Sequence, residues 1–292
     1  MDAVALLQYR LSSSPDTPTI HQKEMPHHTS GLSIFLLRGL AREVRHWGVF
    51  VEKLNQARSN INVIPLEMPG AGVLRDQKSP LRAGDYIPII RQQYLCHVKA
   101  GQPAIIIGLS FGGMLAAQWV ATHPEDFMGI VLINSSSHLS FPTKRLTPGG
   151  TLTFLRILFS RDSLSRERIL AGTICNLADV EKTALFWKKI EDSAPMSPTN
   201  KIRQLYAAAT FALPQLSRIP ALVLCSKNDK LVSHSCSLDI AQAWKSDIRI
   251  HPTAGHDLTT DDSGWCIENL FPWIDDIYAD KGPSSPHRDL LS

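Results

Sequence analysis

The chain has 292 residues, of which 43% are hydrophobic and 20% charged, and its formal net charge is +3. A chain of this length and composition can bury a sizeable core in one α/β domain. Its basic residues are scattered rather than clustered, so composition gives no reason to expect a nucleic-acid partner. No apolar stretch has the length of a membrane span, and the N-terminus lacks the pattern of a signal peptide.

Five cysteines are spread along the chain. Their odd number and wide spacing, with no Cys-x-x-Cys pair, argue against a disulfide framework and against a zinc site. This usage is typical of a reducing compartment. We therefore expect a cytoplasmic protein, and the sequence implies neither a metal nor an organic cofactor.

The predicted elements begin after an irregular lead-in at residues 1–31, which is rich in Ser, Thr, Pro and His. Short apolar runs then predict four buried strands, at 32–37, 61–66, 104–109 and 127–134. Apolar residues at helical spacing predict helices between them, at 43–57, 85–99 and 111–122.

The alternation stops at residue 135, where helical segments separated by prolines predict a helical insertion over 135–216. It resumes with strands at 221–225 and 247–250 and a helix at 263–278, before a polar tail at 281–292. Strands that alternate with helices predict a mostly parallel sheet with helices on both faces, whose core we assign to 32–134 and 217–280. We expect the insertion to form a lid over the strand ends, where ligands bind in open α/β sheets.

The most informative motif lies where the third strand meets its helix. Ser110 stands between Gly108 and Gly112 in a Gly-x-Ser-x-Gly pattern. With a strand before it and a helix after it, this pattern indicates a nucleophile elbow, a sharp turn that exposes the serine hydroxyl. Glycine suits the two flanking positions because side chains there would collide across the turn.

A serine nucleophile needs a base within hydrogen-bond reach and an acid that orients the base. Asp229 and His256 follow two later predicted strands in the order acid, then histidine, that the elbow architecture uses. Three other aspartates compete for the acid role, Asp257, Asp261 and Asp262. They lie at the start of the last helix, where acidic residues favour the helix dipole, so we interpret them as structural.

Acyl transfer also needs donors for the developing oxyanion. One is expected to be the backbone N–H of Phe111, directly after the serine. The second is expected in the loop after the first strand, where Gly39 would permit a turn that presents the N–H of Leu40.

Apolar side chains in the insertion suggest a largely apolar pocket for an acyl or alcohol group, formed by Phe154, Leu158 and Phe186. Basic residues in the same region could also receive an acidic substrate or an acyl carrier, namely Lys144, Arg145 and Arg156. A solvated charged face is the simpler interpretation of these three residues.

Together these motifs resemble the α/β-hydrolase superfamily, in its small lidded serine esterase-type branch. The matching stretches are 35–40, 65–72, 108–113, 121–125, 129–134, 226–229 and 255–256. The resemblance implies a triad of Ser110, Asp229 and His256, with Leu40 and Phe111 at the oxyanion hole. The chain departs from the family where members usually have histidine before the oxyanion glycine and aspartate before the Pro-Gly turn; here the residues are Arg38 and Glu67.

The resemblance implies hydrolysis of a carboxylic ester with a small or medium apolar acyl group through an acyl-enzyme on Ser110. Related dehalogenases and epoxide hydrolases use aspartate at the nucleophile position, which disfavours those reactions. The alternatives are an acyl thioesterase, a carrier-protein methyl ester esterase similar to the one in biotin synthesis, or a slow-turnover ligand sensor on the same fold. The expected partner is a small ester substrate, and no sequence feature argues specifically for an acyl carrier.

Overall fold

The computed structural model describes residues 31–99, 101–160, 162–216 and 219–280. Apart from Gly31, the predicted lead-in and the predicted tail lie outside these residues. Six parallel strands form one sheet in the order β2-β1-β3-β4-β5-β6. Their bounds are β1 Leu32–Leu37, β2 Ile61–Leu66, β3 Ala104–Leu109, β4 Gly129–Ile133, β5 Ala221–Ser226 and β6 Asp247–His251.

The helices of the described residues fall into two groups. Those around the sheet are α1 Val49–Ala57, α2 Ile87–His97, α3 Phe111–Thr122, α9 Ser235–Trp244, α10 Leu258–Asp261 and α11 Ser263–Asp280. Those between β4 and β5 are α4 Pro142–Arg145, α5 Pro148–Leu158, α6 Ser163–Ile174, α7 Val180–Ser193 and α8 Pro198–Ala209. Among all of them, none combines the length and the apolar character needed to cross a membrane.

Side chains of the central strands are buried on both faces of the sheet. Phe35 and Leu37 of β1 pack with α2, α3 and α9 in one apolar cluster. Ile34 and Leu36 point the other way and pack with α1 and α11 in a second cluster. Continuous apolar runs are typical of parallel strands covered on both sides, and the predicted α/β architecture is confirmed.

One predicted helix is divided in the structure. The helix expected over 43–57 is a 3-10 turn at Val44–Trp47 followed by α1. Gly48 separates them with φ 51°, a left-handed conformation that glycine adopts at little cost. Apolar periodicity continues across this break, so the spacing alone did not reveal it.

Helices α6 and α7 of the insertion have a small apolar cluster of their own, formed by Ala171, Ile174, Cys175, Ala184, Trp187 and Ile190. By contrast, Ala207 and Ala208 of α8 and the following Phe211 pack in the first apolar cluster of the sheet domain. Polar contacts also join the two regions. Arg42 Nη2 donates to Glu167 Oε2 at 2.8 Å, and both side chains are buried. Gln204 Oε1 accepts the N–H of Ala41 at 2.8 Å.

The sheet order places a crevice at the carboxyl ends of β1 and β3. The chain leaves β1 towards β2 on one side and returns to β3 on the other, which is the topological switch point of an open α/β sheet. Ser110 follows β3 directly, and the loop with Gly39 follows β1. The fold therefore brings the elbow and the expected oxyanion loop to one edge of the sheet.

Candidate active site

Ser110 lies between β3 and α3 with φ 55° and ψ −116°. This is an unfavourable backbone conformation for a residue with a side chain, and such outliers cluster at functional sites. Its N–H donates to Ile133 O at 2.8 Å, and its carbonyl accepts from Ser135 Oγ at 2.9 Å. The strained turn is thus held by the end of the neighbouring strand β4.

The two elbow glycines are required by close backbone contact. A Cβ at Gly108 would lie 2.4 Å from Gly112 O, and a Cβ at Gly112 would lie 2.0 Å from Leu37 O. Both distances are far inside van der Waals contact, and both neighbours are backbone atoms that cannot rotate away. The clash at Gly108 is across the turn, the reason expected for both glycines, whereas the clash at Gly112 is with the end of the neighbouring strand β1.

Asp229 and His256 are in direct contact. The distance from His256 Nδ1 to Asp229 Oδ2 is 2.6 Å, and only 5% and 1% of the two side chains are exposed. The other carboxylate oxygen, Asp229 Oδ1, accepts the N–H groups of Leu231 and Val232 at 2.8 and 2.9 Å. The loop of Asp229 therefore holds its carboxylate in place. The carboxylate can in turn orient the imidazole, as a histidine base requires.

The Ser110 hydroxyl has no hydrogen bond to His256 or to any other described residue. Both residues are nevertheless hydrogen-bonded to the same short segment, residues 133–135 at the end of β4. That segment binds the backbone of Ser110 through Ile133 and Ser135, and Asn134 Nδ2 donates to His256 O at 2.8 Å. Catalytic hydrogen bonds are often long before substrate binds. The missing hydrogen bond between Ser110 and His256 is therefore compatible with a serine–histidine pair.

Asn134 is a site residue that sequence reasoning missed. Its amide accepts the N–H of Ser226 at 2.8 Å and donates to the carbonyls of Gly255 and His256. It is buried and has φ 46°, a conformation that asparagine tolerates better than most residues. An asparagine directly after a buried strand was the available signal.

The oxyanion loop forms a tight turn. The N–H of Arg42 donates to Gly39 O at 3.2 Å, and the left-handed residue in the turn is Ala41, with φ 57°. Gly39 itself lies against the nucleophile, since a Cβ there would be 3.4 Å from Ser110 Cβ. The turn expected at Gly39 is present, but its left-handed position is two residues later.

The N–H groups of Leu40 and Phe111 make no hydrogen bond to any described residue. By contrast, the N–H of Ala41, next to Leu40, is occupied by Gln204 of α8. Free donors beside an elbow serine are what an oxyanion hole requires. Both positions remain predictions as oxyanion donors.

Arg38 forms a buried ion pair with Asp257. Both guanidinium Nη atoms contact the carboxylate, with Nη1 3.2 Å from Asp257 Oδ1, and the side chains are 2% and 1% exposed. The Arg38 Cζ also lies 4.9 Å from the centroid of the Trp47 ring. Burial would raise the pKa of Asp257, but the adjacent Arg38 charge and hydrogen bonds hold it below its usual value.

This pair gives a role to Arg38, the first of the two departures in the sequence. Arg38, where related proteins usually have histidine, neutralises Asp257, the residue directly after His256. Asp257 also caps the short helix α10, where it accepts the N–H of Thr260, whereas the last helix, at whose start it was expected, begins at Ser263. Asp229, not Asp257, contacts the imidazole.

Two carboxylates are buried beside the oxyanion loop. A Cβ at Gly72 would lie 1.9 Å from Glu67 Oε2 and 3.0 Å from Glu43 Oε2, so both oxygens converge on this glycine. Arg45 pairs with Glu43 at 2.6 Å, whereas Glu67 Oε2 has no partner among the described residues. Burial and the nearby Glu43 raise the pKa of Glu67 to about 8.

The three predicted pocket residues differ in exposure. Phe154 is half-buried in α5, Leu158 is 74% exposed at the end of α5, and Phe186 is 43% exposed on α7. A Cβ at Gly48 would lie 3.8 Å from the Phe186 ring. The structure shows no contact between these side chains and Ser110, and their role in a pocket stays a prediction.

One cluster has the residue types of a metal site. Ligand atoms of His123, Glu125 and Asp126 lie within 4.8 Å of one another. Arg91, however, already binds both oxygens of Asp126, at 2.7 and 2.9 Å. A guanidinium therefore supplies the positive charge at this cluster, and the arrangement gives no reason to propose a bound cation.

Comparison with known proteins gives several related sequences, among them the following two. The chain is 27% identical over 184 residues to "Putative carbamate hydrolase RutD" of Serratia proteamaculans (strain 568), a match covering 58% of this chain and 64% of that protein. It is 29% identical over 116 residues to "Biotin biosynthesis bifunctional protein BioHC" of Teredinibacter turnerae, a match covering 39% of this chain and 19% of that protein. The chain thus spans less than two thirds of the length of each relative.

Solved structures and a family model agree with the fold. An esterase (EaEST) from Exiguobacterium antarcticum superposes with a TM-score of 0.67 at 14% identity, covering 85% of this chain and 93% of that one. Identity this low shows a shared fold alone. The model of the alpha/beta hydrolase family matches residues 34–268, which is most of the chain. The chain therefore belongs to the alpha/beta hydrolase family.

Proposed function

We propose that the protein is a serine hydrolase that cleaves a carboxylic ester of a small or medium apolar acyl group. The observation that carries the proposal is the contact of 2.6 Å between His256 Nδ1 and Asp229 Oδ2, at the sheet edge that also holds Ser110 in an elbow. A buried carboxylate on one ring nitrogen leaves Nε2 to accept a proton.

In the proposed reaction, Ser110 Oγ attacks the ester carbonyl carbon while His256 Nε2 takes the hydroxyl proton. Asp229 orients the ring and stabilises the imidazolium. The N–H groups of Phe111 and Leu40 would bind the oxyanion. Collapse of the tetrahedral intermediate breaks the ester bond, and the alcohol leaves with the proton from His256. Water, activated by the same histidine, then hydrolyses the acyl-enzyme.

A second candidate keeps the same residues and changes the leaving group. One sequence relative is named for biotin biosynthesis and another for carbamate hydrolysis. An acyl thioester, a carrier-protein methyl ester and a carbamate all present a carbonyl that Ser110 could attack. These relatives therefore justify including all three substrate classes in any screen.

The decisive experiment is active-site labelling. A fluorophosphonate probe should label the wild-type protein on Ser110, and Ser110→Ala should remove the label without changing the melting temperature. Ser135→Ala is a matched control, because its hydroxyl contacts the Ser110 carbonyl but is not assigned to the reaction. Labelling that persists in Ser110→Ala, or is absent in wild type, would reject the nucleophile.

Substrate class can then be determined with a panel of p-nitrophenyl esters, acyl thioesters and carbamates. Steady turnover of esters with short or medium chains supports the first proposal. An acyl burst followed by negligible turnover favours the ligand sensor. The cytoplasmic location remains a proposal that rests on cysteine usage, and fractionation of the source cells tests it.

A further inference from the structure

The loop between α6 and α7, residues 175–179, lies against both loops of the proposed acid–histidine pair. Asn176 Nδ2 donates to Asn228 O at 3.1 Å and to Thr253 O at 3.0 Å. Asn228 directly precedes Asp229, and Thr253 is three residues before His256. One amide group of the helical insertion therefore bridges the acid loop and the histidine loop.

A carboxylate on the histidine side holds this loop in place. Asp261 Oδ2 accepts the N–H groups of Asn176 and Gly255 at 2.8 and 2.6 Å. Its Oδ1 accepts those of Leu177 and Ala178, both at 3.0 Å. Asp261 thus ties the backbone around Asn176 to the residue that directly precedes His256.

The two loops also touch through their backbones. The N–H of Asp257 donates to Ile174 O at 2.8 Å. A Cβ at Gly255 would lie 2.5 Å from Ile174 O and 3.2 Å from the backbone nitrogen of Asn176. Only glycine fits at position 255 while residues 174–176 stay in place. The close backbone contact between the two loops therefore depends on this glycine.

Asn176 adopts this position at a cost. Its Oδ1 is buried and has no hydrogen-bond partner among the described residues. An unsatisfied buried acceptor disfavours the folded state. The Asn176 side chain therefore stabilises the structure only through the two hydrogen bonds that it donates. Both are to the loops of the proposed catalytic pair.

We propose that Asn176 is a positioning residue, held by Asp261, that sets the place of Asp229 relative to His256. The inference rests on the proposed function for its activity readout. It assigns the helical insertion a second role besides covering the strand ends, because a shift of the loop after α6 would move both catalytic loops. Catalytic geometry is sensitive to displacements of about 1 Å.

Asn176→Ala is the test, with Asn269→Ala as the matched control. Asn269 is also half-buried and also donates its amide to a carbonyl, Trp265 O at 2.8 Å, but it does so within α11. We expect Asn176→Ala to lower kcat by about 10- to 100-fold with KM within about twofold, since orientation matters mainly in the transition state. Asn269→Ala should leave both constants unchanged.

A spectroscopic readout makes the test independent of the substrate. In wild type, the short contact between His256 and Asp229 should give a far-downfield proton resonance for Nδ1–H, assigned by its loss in His256→Gln. This resonance should broaden or move upfield in Asn176→Ala and in Asp261→Asn. Circular dichroism and thermal melts show whether each variant is folded.

An unchanged Nδ1–H resonance together with wild-type kcat in a folded Asn176→Ala would overturn the inference. So would a loss of activity that only follows a lower melting temperature, with the resonance intact. Failure of the proposed function has a different signature, which is the absence of fluorophosphonate labelling in wild type. In that case the resonance still decides whether Asn176 positions the pair.

Discussion

The sheet domain and the helical insertion are stabilised in different ways. Two large apolar clusters enclose the sheet on both faces. Helices α6 and α7 of the insertion share one small cluster around Trp187, and the insertion is joined to the sheet domain by polar contacts such as Arg42–Glu167 and by apolar residues of α8 and the segment after it, including Ala207 and Phe211. Elements with few apolar contacts open more easily than a packed core.

The surfaces of the two regions differ as well. Most of the large apolar side chains that are strongly exposed belong to the insertion, including Phe141 at 76%, Leu158 at 74% and Phe159 at 80%. Ser110 and Asp229 follow the buried strands β3 and β5, and His256 follows the edge strand β6. We propose that the sheet domain fixes the reacting atoms, with Asn176 of the insertion positioning the acid–histidine pair, and that the rest of the insertion determines what reaches them.

The largest expected effect is the loss of activity in Asp229→Asn. The amide would present a donor to His256 Nδ1 and stabilise the wrong tautomer, so we expect kcat to fall by about 10⁴-fold. Asparagine keeps an oxygen for the N–H groups of Leu231 and Val232, so the melting temperature should stay close to that of wild type. Steady-state kinetics and thermal melts measure both quantities.

The competing acid provides the control for that variant. Asp257→Asn should chiefly lower stability, because Asp257 pairs with Arg38 and not with the imidazole. If Asp257→Asn abolishes turnover in a stable protein while Asp229→Asn stays active, the wrong acid has been assigned.

Arg38→Met tests the tie between the oxyanion loop and the histidine loop. Removing one partner of a buried ion pair leaves an uncompensated charge, which typically costs about 3–5 kcal/mol of unfolding free energy. The double variant Arg38→Met/Asp257→Leu removes both charges and should recover part of that loss. Urea unfolding measures the free energy of unfolding of wild type and both variants. A double variant less stable than Arg38→Met would contradict the argument that the stranded carboxylate causes the loss.

Local sequence patterns predicted the sheet and the elbow well. Strands β1, β2 and β3 and helix α3 have the predicted bounds because each is determined by its own apolar run and by the glycines around Ser110. Asp229 and His256 were found by their order after strands, and the structure brings them into contact. These features depend on residues that are close in sequence or on a fixed chain order.

Contacts between distant residues could not be predicted in the same way. Arg38 and Asp257 are 219 positions apart, and nothing in either local segment indicates the other. Asn176 lies in a connecting loop, and its partners are the carbonyls of Asn228 and Thr253 and the carboxylate of Asp261, which are all distant in sequence. For predicted pocket residues such as Leu158, an apolar side chain indicates burial or ligand binding. It does not indicate which face of the helix is exposed to solvent.

Matched truncations measure the difference between the two regions directly. Ile190 in the insertion cluster and Ile274 in α11 are both buried. Isoleucine-to-alanine changes in cores cost about 2–5 kcal/mol, depending on how far the site can collapse. We expect Ile190→Ala near the lower end and Ile274→Ala near the upper end, by urea unfolding.

The same pair distinguishes local from global opening. In Ile190→Ala, limited proteolysis should cut first within residues 135–216 while the sheet domain stays protected. Ile274→Ala should show no such preference. Equal losses of stability and identical cleavage patterns would mean that the insertion unfolds together with the sheet.

A pH-dependent effect on stability is expected at Glu67. Its folded-state pKa of about 8 lies above the ordinary value of 4.5, so between these values the unfolded chain has lost a proton that the folded protein keeps. Stability contributed by this group therefore falls as pH rises, by about 1.4 kcal/mol for each pH unit in that window.

Glu67→Gln removes this titration and keeps the shape of the side chain. Relative to wild type, the variant should gain stability steadily from pH 5 towards pH 8, the range given by the pKa of about 8 and the ordinary value of 4.5. Denaturant unfolding of both proteins at several pH values measures the difference. Glu52→Gln, an exposed position on α1, is the control and should show no trend of this size. Because Glu67 is fully enclosed beside Gly72 in the sheet domain, a flat difference would mean that water reaches this carboxylate and that the sheet domain is less tightly packed here than its apolar clusters suggest.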